Sequence, residues 1–237
     1  MEARERLIVA LDVDDVQRAL EMIDILSPEV EAFKVGIAPF TDFGHCVLDK
    51  LQFAGKRVFL DLKFHDIPNT AAAAARAAAK KGVFMMNFHC LGGRRMLEAG
   101  VRGAMEGSSS EGRKPPILLG VTILTSMSEE DMKAIGIAGD LQSKVLELAQ
   151  VARDAGMDGV VASAKEARAI KEKIGNDFLI VTPGIRPEWA ASQDQKRVLT
   201  PRQAISEGAD YIVVGRPIIQ ADDPLQAARR IIEELKI

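Results

Sequence analysis

Short apolar runs recur along the chain, each followed by an amphipathic stretch rich in helix formers. The runs are Leu7–Leu11, Ala32–Val35, Val58–Leu62, Phe84–Phe88, Ile117–Thr122, Gly159–Ala162, Phe178–Val181 and Tyr211–Val214. They are nearly continuous in apolar character, as parallel strands covered on both faces require. The stretches between them are long enough for helices, so the pattern predicts β followed by α, eight times over. Eight such units in 237 residues predict a single-domain (β/α)8 TIM barrel over residues 1–237, because an α/β chain of about 250 residues commonly closes this way. A doubly wound nucleotide-binding sheet would need G-x-G-x-x-G after the first strand, where Asp12-Val13-Asp14-Asp15-Val16 stands instead.

Two compositionally unusual stretches fit between strands. The alanine-rich Thr70–Ala79 predicts a packing helix, since alanine is the best helix former and its small face lets helices approach closely. Residues Met105–Pro116, with Gly, Ser and Pro, predict a flexible loop. A net charge of -3 with 5% aromatic residues offers neither the electrostatic footprint nor the stacking platforms of a nucleic-acid binder. Cys46 and Cys90 form no C-x-x-C pair, which argues against a disulfide framework or zinc knuckle and fits a reducing compartment. No signal-peptide pattern follows Met1, and no apolar run approaches membrane-spanning length. The expected protein is cytoplasmic and binds a small molecule.

In a barrel of this kind, chemistry gathers where strands end. Asp12 ends the first run, Lys34 lies near the end of the second, and Asp61-Leu62-Lys63-Phe64-His65-Asp66-Ile67-Pro68-Asn69-Thr70 follows the third. Alternation along an extended strand puts Asp61 and Lys63 on one face, with Asp66 within reach from the loop. Burying these charges has a desolvation cost that stability alone does not call for, so the row reads as a functional site. A second chemistry sits after the seventh and eighth runs, in Pro183-Gly184-Ile185-Arg186 and Gly215-Arg216-Pro217. Loops at these two places commonly hold a phosphate: glycine lets backbone N–H groups approach, and arginine adds a charge-assisted contact. A phosphorylated small molecule is expected, its phosphate supplying binding energy for a reaction elsewhere on the molecule.

With these residues in place, the chain resembles the orotidine 5′-phosphate decarboxylase family. That family's D-x-K-x-x-D-I-[GP]-x-T signature stands at Asp61 through Thr70 without departure. Leu11-Asp12, Phe33-Lys34-Val35-Gly36, Leu124-Thr125-Ser126, Asp194-Gln195-Lys196-Arg197 and Val214-Gly215-Arg216-Pro217 accompany it in order. The resemblance implies a homodimer with shared active sites and a decarboxylation without cofactor or metal. It implies that Lys63 delivers a proton to C6 of the pyrimidine while Asp61 sits against the substrate carboxylate. Lys34 would orient Asp61 and, with Asp12, bind the ribose; Asp66 and Thr70 would reach the neighbouring subunit's site. Pro183, Arg186, Gln195, Gly215 and Arg216 would bind substrate around the phosphate. Thr125 or Ser126 would meet the pyrimidine edge, and Ser126, with Glu129 at capping-box spacing, reads rather as a helix N-cap.

The same residues bear on other chemistries. A Schiff-base aldolase needs a neutral lysine, whereas flanking carboxylates favour the ammonium form of Lys63. A metal-dependent aldolase or lyase of the hexulose-phosphate synthase type could use Asp61 and Asp66 as magnesium ligands, but an ammonium between them disfavours a cation. A catalytically silent phosphate-binding barrel would not need the charged row. His45 and His89 read as packing or helix-end residues and His65 as a local loop contact, with no zinc-site spacing among them. Glu188–Arg197, which holds Trp189, reads as a lid latched by Gln195.

Overall fold

A computed structural model describes residues 1–190 and 199–236. Its strands are β1 (Leu7–Ala10), β2 (Ala32–Gly36), β3 (Arg57–Phe64), β4 (Met85–His89), β5 (Ile117–Val121), β6 (Gly159–Val161), β7 (Leu179–Thr182) and β8 (Tyr211–Val214). They close into a barrel in sequence order, with helices alternating between them, which is the (β/α)8 architecture that the apolar runs predict. Seven of the eight strands differ from the sequence expectation by one or two residues at an end, and β3 differs most consequentially: it continues past Leu62 through Lys63 to Phe64.

The chain divides into two compact units, one of Met1–Leu62 with Thr182–Ile237 and one of Lys63–Val181. In the first, β1 lies between β2 and β8, all parallel, with Ala10 opposite Lys34 and Val9 opposite Val214. β2 carries the register on to β3, pairing Gly36 with Asp61. Leu7, Ile8, Val9, Phe33 and Val35 are fully buried, as expected for strands without a wet face. The helix Val16–Leu26 begins where the Asp15 carboxylate accepts hydrogen bonds from the Gln17 and Arg18 N–H groups, and it turns Ala19, Met22, Ile23 and Leu26 inward. That spacing is the apolar stripe of an amphipathic helix.

The second unit corrects two expectations. Residues Met105–Ser110 are not loop; they complete the helix Arg94–Ser110. It packs against the alanine-rich helix Pro68–Lys80, whose existence was expected. The reason is small-residue spacing. A Cβ at Gly103 would stand 2.2 Å from the Ala72 carbonyl oxygen, and one at Gly107 2.4 Å from that of Arg76. Glycines four apart therefore make a seam for the neighbouring backbone, and the helix tolerates their poor propensity because the contact needs them. Only beyond Ser110 does the chain turn, with Gly112 at φ +62°. The second correction concerns Ser126, which is not the cap of the next helix. Ser128 is: its hydroxyl accepts from the Asp131 N–H while the Asp131 carboxylate accepts from the Ser128 N–H, ahead of Glu129–Ala134.

Gly103→Ala is expected to destabilise the fold by about 1–3 kcal/mol in urea unfolding, the overpacking cost outweighing the helix-propensity gain of about 1 kcal/mol. Exposed Ser109 provides the control, since Ser109→Ala should change little. Burial pushes the Cys90 thiol up to about 12, so a thiol reagent at neutral pH should label Cys90 only on unfolding; rapid native labelling would contradict its burial.

Candidate active site

Three charges expected from the sequence meet at the carboxyl ends of adjacent strands. The Lys34 ammonium lies 3.1 Å from Asp12 Oδ1 and 3.3 Å from Asp61 Oδ2. Lys34 is on β2, Asp12 follows β1, and Asp61 is the β3 residue paired with Gly36. The environment is graded: the Lys34 and Asp61 side chains are 10% and 12% exposed, that of Asp12 55%. Lys34 therefore holds a buried carboxylate on one side and an accessible one on the other. Gly36 makes room for this, because a Cβ there would come within 3.0 Å of Lys34 Nζ and 3.3 Å of Asp12 Oδ1. From sequence Gly36 stands only as part of a motif; a glycine two residues after a strand lysine is the signal that could have singled it out.

At Lys63 the backbone leaves the extended conformation. Its φ is +50°, the left-handed region, and among the described residues it is the one non-glycine residue there. The Lys63 N–H donates to Asn87 Oδ1 at 2.8 Å. Asn87 lies on β4 and is completely buried; sequence reasoning missed it because it sits within an apolar run. Beyond Lys63, Asp66 and Thr70 are exposed, and the Asp66 carboxylate accepts the Ile67 N–H at 2.6 Å. Thr125 and Ser126 are exposed in a turn closed by the Met127 N–H on the Leu124 carbonyl. His65 meets His89, ring centroids 5.4 Å apart, so its contact reaches another strand end rather than staying local. His45 packs on Phe40.

The two arginines expected at a phosphate do converge. Arg186 and Arg216 line one cleft of about 330 Å³ with Trp189, Pro217 and Gln220. Pro183 and Gly184 lead into it from β7, Gly184 at φ +74°, where a Cβ would be strained. The Arg186 N–H is tied to the Leu199 carbonyl. Gly215 directly follows β8 and precedes Arg216. Trp189 is anchored by Arg230, whose guanidinium lies 4.2 Å from the indole centroid, a cation–π contact. Gln195 and residues 191–197 of the expected lid lie outside the described residues. Two guanidinium groups at one cleft suit a dianion, which each can grip through paired N–H donors. Among the described residues, no three His, Cys, Asp or Glu side chains are grouped to hold a metal ion, and no helix is long and apolar enough to cross a membrane.

Charge concentrated at the strand ends of a parallel eight-stranded barrel defines an enzyme of the (β/α)8 class. The particular lineage is equally clear: a family model described as orotidine 5′-phosphate decarboxylase / HUMPS matches residues 5–231, and the chain belongs to that family. A relative from Alkalilimnicola ehrlichii named orotidine 5′-phosphate decarboxylase is 50% identical over 233 residues, covering 98% of this chain and 97% of its own. One of the same name from Saccharophagus degradans is 48% identical over 230 residues, covering 97% and 94% respectively. The crystal structure of orotidine 5′-phosphate decarboxylase from Lactobacillus acidophilus superposes with a TM-score of 0.87 at 39% identity, covering 98% of this chain and 99% of that one.

Replacing Lys34 by Met should destabilise the protein by about 3 kcal/mol, because removing one partner of a buried ion pair leaves the other's desolvation poorly compensated. Thermal unfolding of the variant unchanged from the parent would show that the Asp61 carboxylate does not depend on Lys34.

Proposed function

We propose that this enzyme decarboxylates orotidine 5′-phosphate to uridine 5′-phosphate, with Lys63 as the proton donor to C6 and no cofactor. The observation that carries the reading is Lys63 itself: a lysine kept in a backbone region costly for non-glycine residues, inside an unbroken D-x-K-x-x-D-I-P-x-T segment. Such outliers persist where the surroundings impose them, and they cluster at working sites. The names borne by the relatives point the same way.

The chemistry follows from charge. The bond between C6 and the carboxylate carbon breaks, carbon dioxide leaves, and the electron pair stays on C6, where the ring delocalises it little. An ammonium fixed beside C6 stabilises that developing charge, then transfers a proton to it and regains one from solvent. Positioning before the charge appears is the larger benefit, because a preorganised group needs no rearrangement during the step. Asp61 lies against the substrate carboxylate in this scheme, and its repulsion falls as carbon dioxide departs. Lys34, within 3.3 Å of Asp61, keeps that carboxylate oriented and contacts the ribose with the accessible Asp12. Arg186, Arg216, Gly215, Pro183 and Gln195 take the phosphate end, and Thr125 or Ser126 the base. Asp66 and Thr70, exposed in this chain, serve the partner's site in a homodimer. The cytoplasm is the matching location.

The competing reading, metal-dependent aldol or lyase chemistry on a sugar phosphate, needs a divalent cation among the same carboxylates. The Lys34 ammonium already lies 3.3 Å from Asp61, one of the two carboxylates that reading would use, which opposes a cation there.

Purified protein should consume orotidine 5′-phosphate, followed by absorbance, at an unchanged rate with EDTA present; an inactive wild type would reject the proposal, and loss of activity with EDTA would favour the metal reading. Lys63→Ala should lower kcat at least about a thousandfold, while uridine 5′-phosphate binding by calorimetry shifts by less than about tenfold. Mixing inactive Lys63→Ala with inactive Asp66→Ala subunits should restore activity if sites are shared, and no recovery on subunit exchange would argue for self-contained subunits.

A further inference from the structure

We infer that Asn87 is a positioning residue for Lys63: its side-chain oxygen holds the Lys63 backbone in the left-handed region and so fixes the origin and direction of the lysine side chain. The inference rests on the role proposed for Lys63 and adds a residue that the signature does not contain. Asn87 occupies the centre of β4 between Met86 and Phe88, all three without solvent exposure. Phe88 points toward the helix Arg94–Ser110, since its ring edge would lie 2.5 Å from a Cβ at Gly100. Alternation turns Asn87 to the opposite face of the strand. There its Oδ1 accepts the Lys63 N–H at 2.8 Å; the donor fixes which end of the amide faces Lys63, because only the oxygen can accept.

A buried polar side chain in an otherwise apolar strand is costly unless its hydrogen bonds are made, so its presence requires a reason beyond packing. The backbone of Lys63 supplies one. Lysine is not among the residues that visit positive φ readily; asparagine, aspartate and histidine are. A conformation of this kind survives only where the surroundings hold it, and the bond from the Lys63 N–H to a buried side chain on the neighbouring strand is such a hold. The consequence for chemistry is geometric. A lysine ammonium stands on four methylenes, and a change of φ at its own Cα swings the whole arm. Leucine shares the branching of asparagine but is bulkier and has no acceptor; aspartate keeps the acceptor and the shape.

The test compares Asn87→Leu with Asn87→Asp by structure and by kinetics. In crystals of Asn87→Leu the Lys63 φ should move to negative values, and in Asn87→Asp it should stay near the left-handed region. Asn87→Leu should lose at least about tenfold in kcat with KM and uridine 5′-phosphate affinity within about threefold, whereas Asn87→Asp should recover most of the rate. A merely structural role predicts instead that both variants fail together or that binding and rate fall in parallel. Lys63 still at positive φ in Asn87→Leu, or kcat within threefold of wild type, would overturn the inference. Should Asn87→Leu not fold, Asn87→Ala carries the same expectations, and a Lys63 that leaves positive φ in Asn87→Asp overturns it independently. An inactive wild-type enzyme would instead sink the role given to Lys63, leaving the φ comparison to decide the backbone role of Asn87.

Discussion

One ammonium group organises the carboxyl ends of the first three strands. Lys34 reaches Asp12 beyond β1 and Asp61 on β3, and its charge makes it tolerable for Asp61 to be almost wholly withdrawn from water. Much else follows from that arrangement. β2 must be in register so that Gly36 stands opposite Asp61, and a Cβ at residue 36 would crowd the ammonium and the Asp12 carboxylate, so either would have to shift. A buried ion cluster of this kind contributes little net stability, because desolvation offsets most of the Coulomb gain. What it provides is fixed charge, in place before any ligand arrives.

The second unit solves a different problem chiefly with small side chains. Its helices Pro68–Lys80 and Arg94–Ser110 meet through alanine and glycine, close enough that Gly103 and Gly107 face backbone carbonyls directly. Such packing leaves little room for sliding, because protein interiors are close-packed and a methyl group added at the seam has nowhere to go. The helix Pro68–Lys80 begins immediately after the exposed Asp66 and Ile67, so rigidity in the seam fixes where the end of the signature stands.

The barrel was legible because parallel strands covered on both sides need nearly unbroken apolar runs, and these recur with helix-forming stretches between them. The charges of the site were legible because they interrupt that rule at strand ends. Three features were not. Met105–Ser110 reads as loop because glycine and serine usually break helices, and only the neighbouring backbone reveals that small size was the property required. Ser126 has a plausible capping partner in Glu129, yet Ser128 with Asp131 offers the same reciprocal bonds closer to the helix start. Lys63 takes a positive φ that no local pattern announces, and its N–H is bonded from β4 by Asn87, a residue that local pattern marks as core.

The pairing of β1 with β8 also sets an order of events. Ribosomes make the amino end first, so Asp12, Lys34 and Asp61 can assemble while most of the chain is still unmade. The other edge of β1 cannot be paired until Tyr211–Val214 has emerged. Until then a fully apolar strand presents open N–H and C=O groups, the kind of surface that templates unwanted pairing between chains. Asp12 stands just past that edge with its carboxylate largely hydrated, a charge of the kind that discourages a second strand from docking.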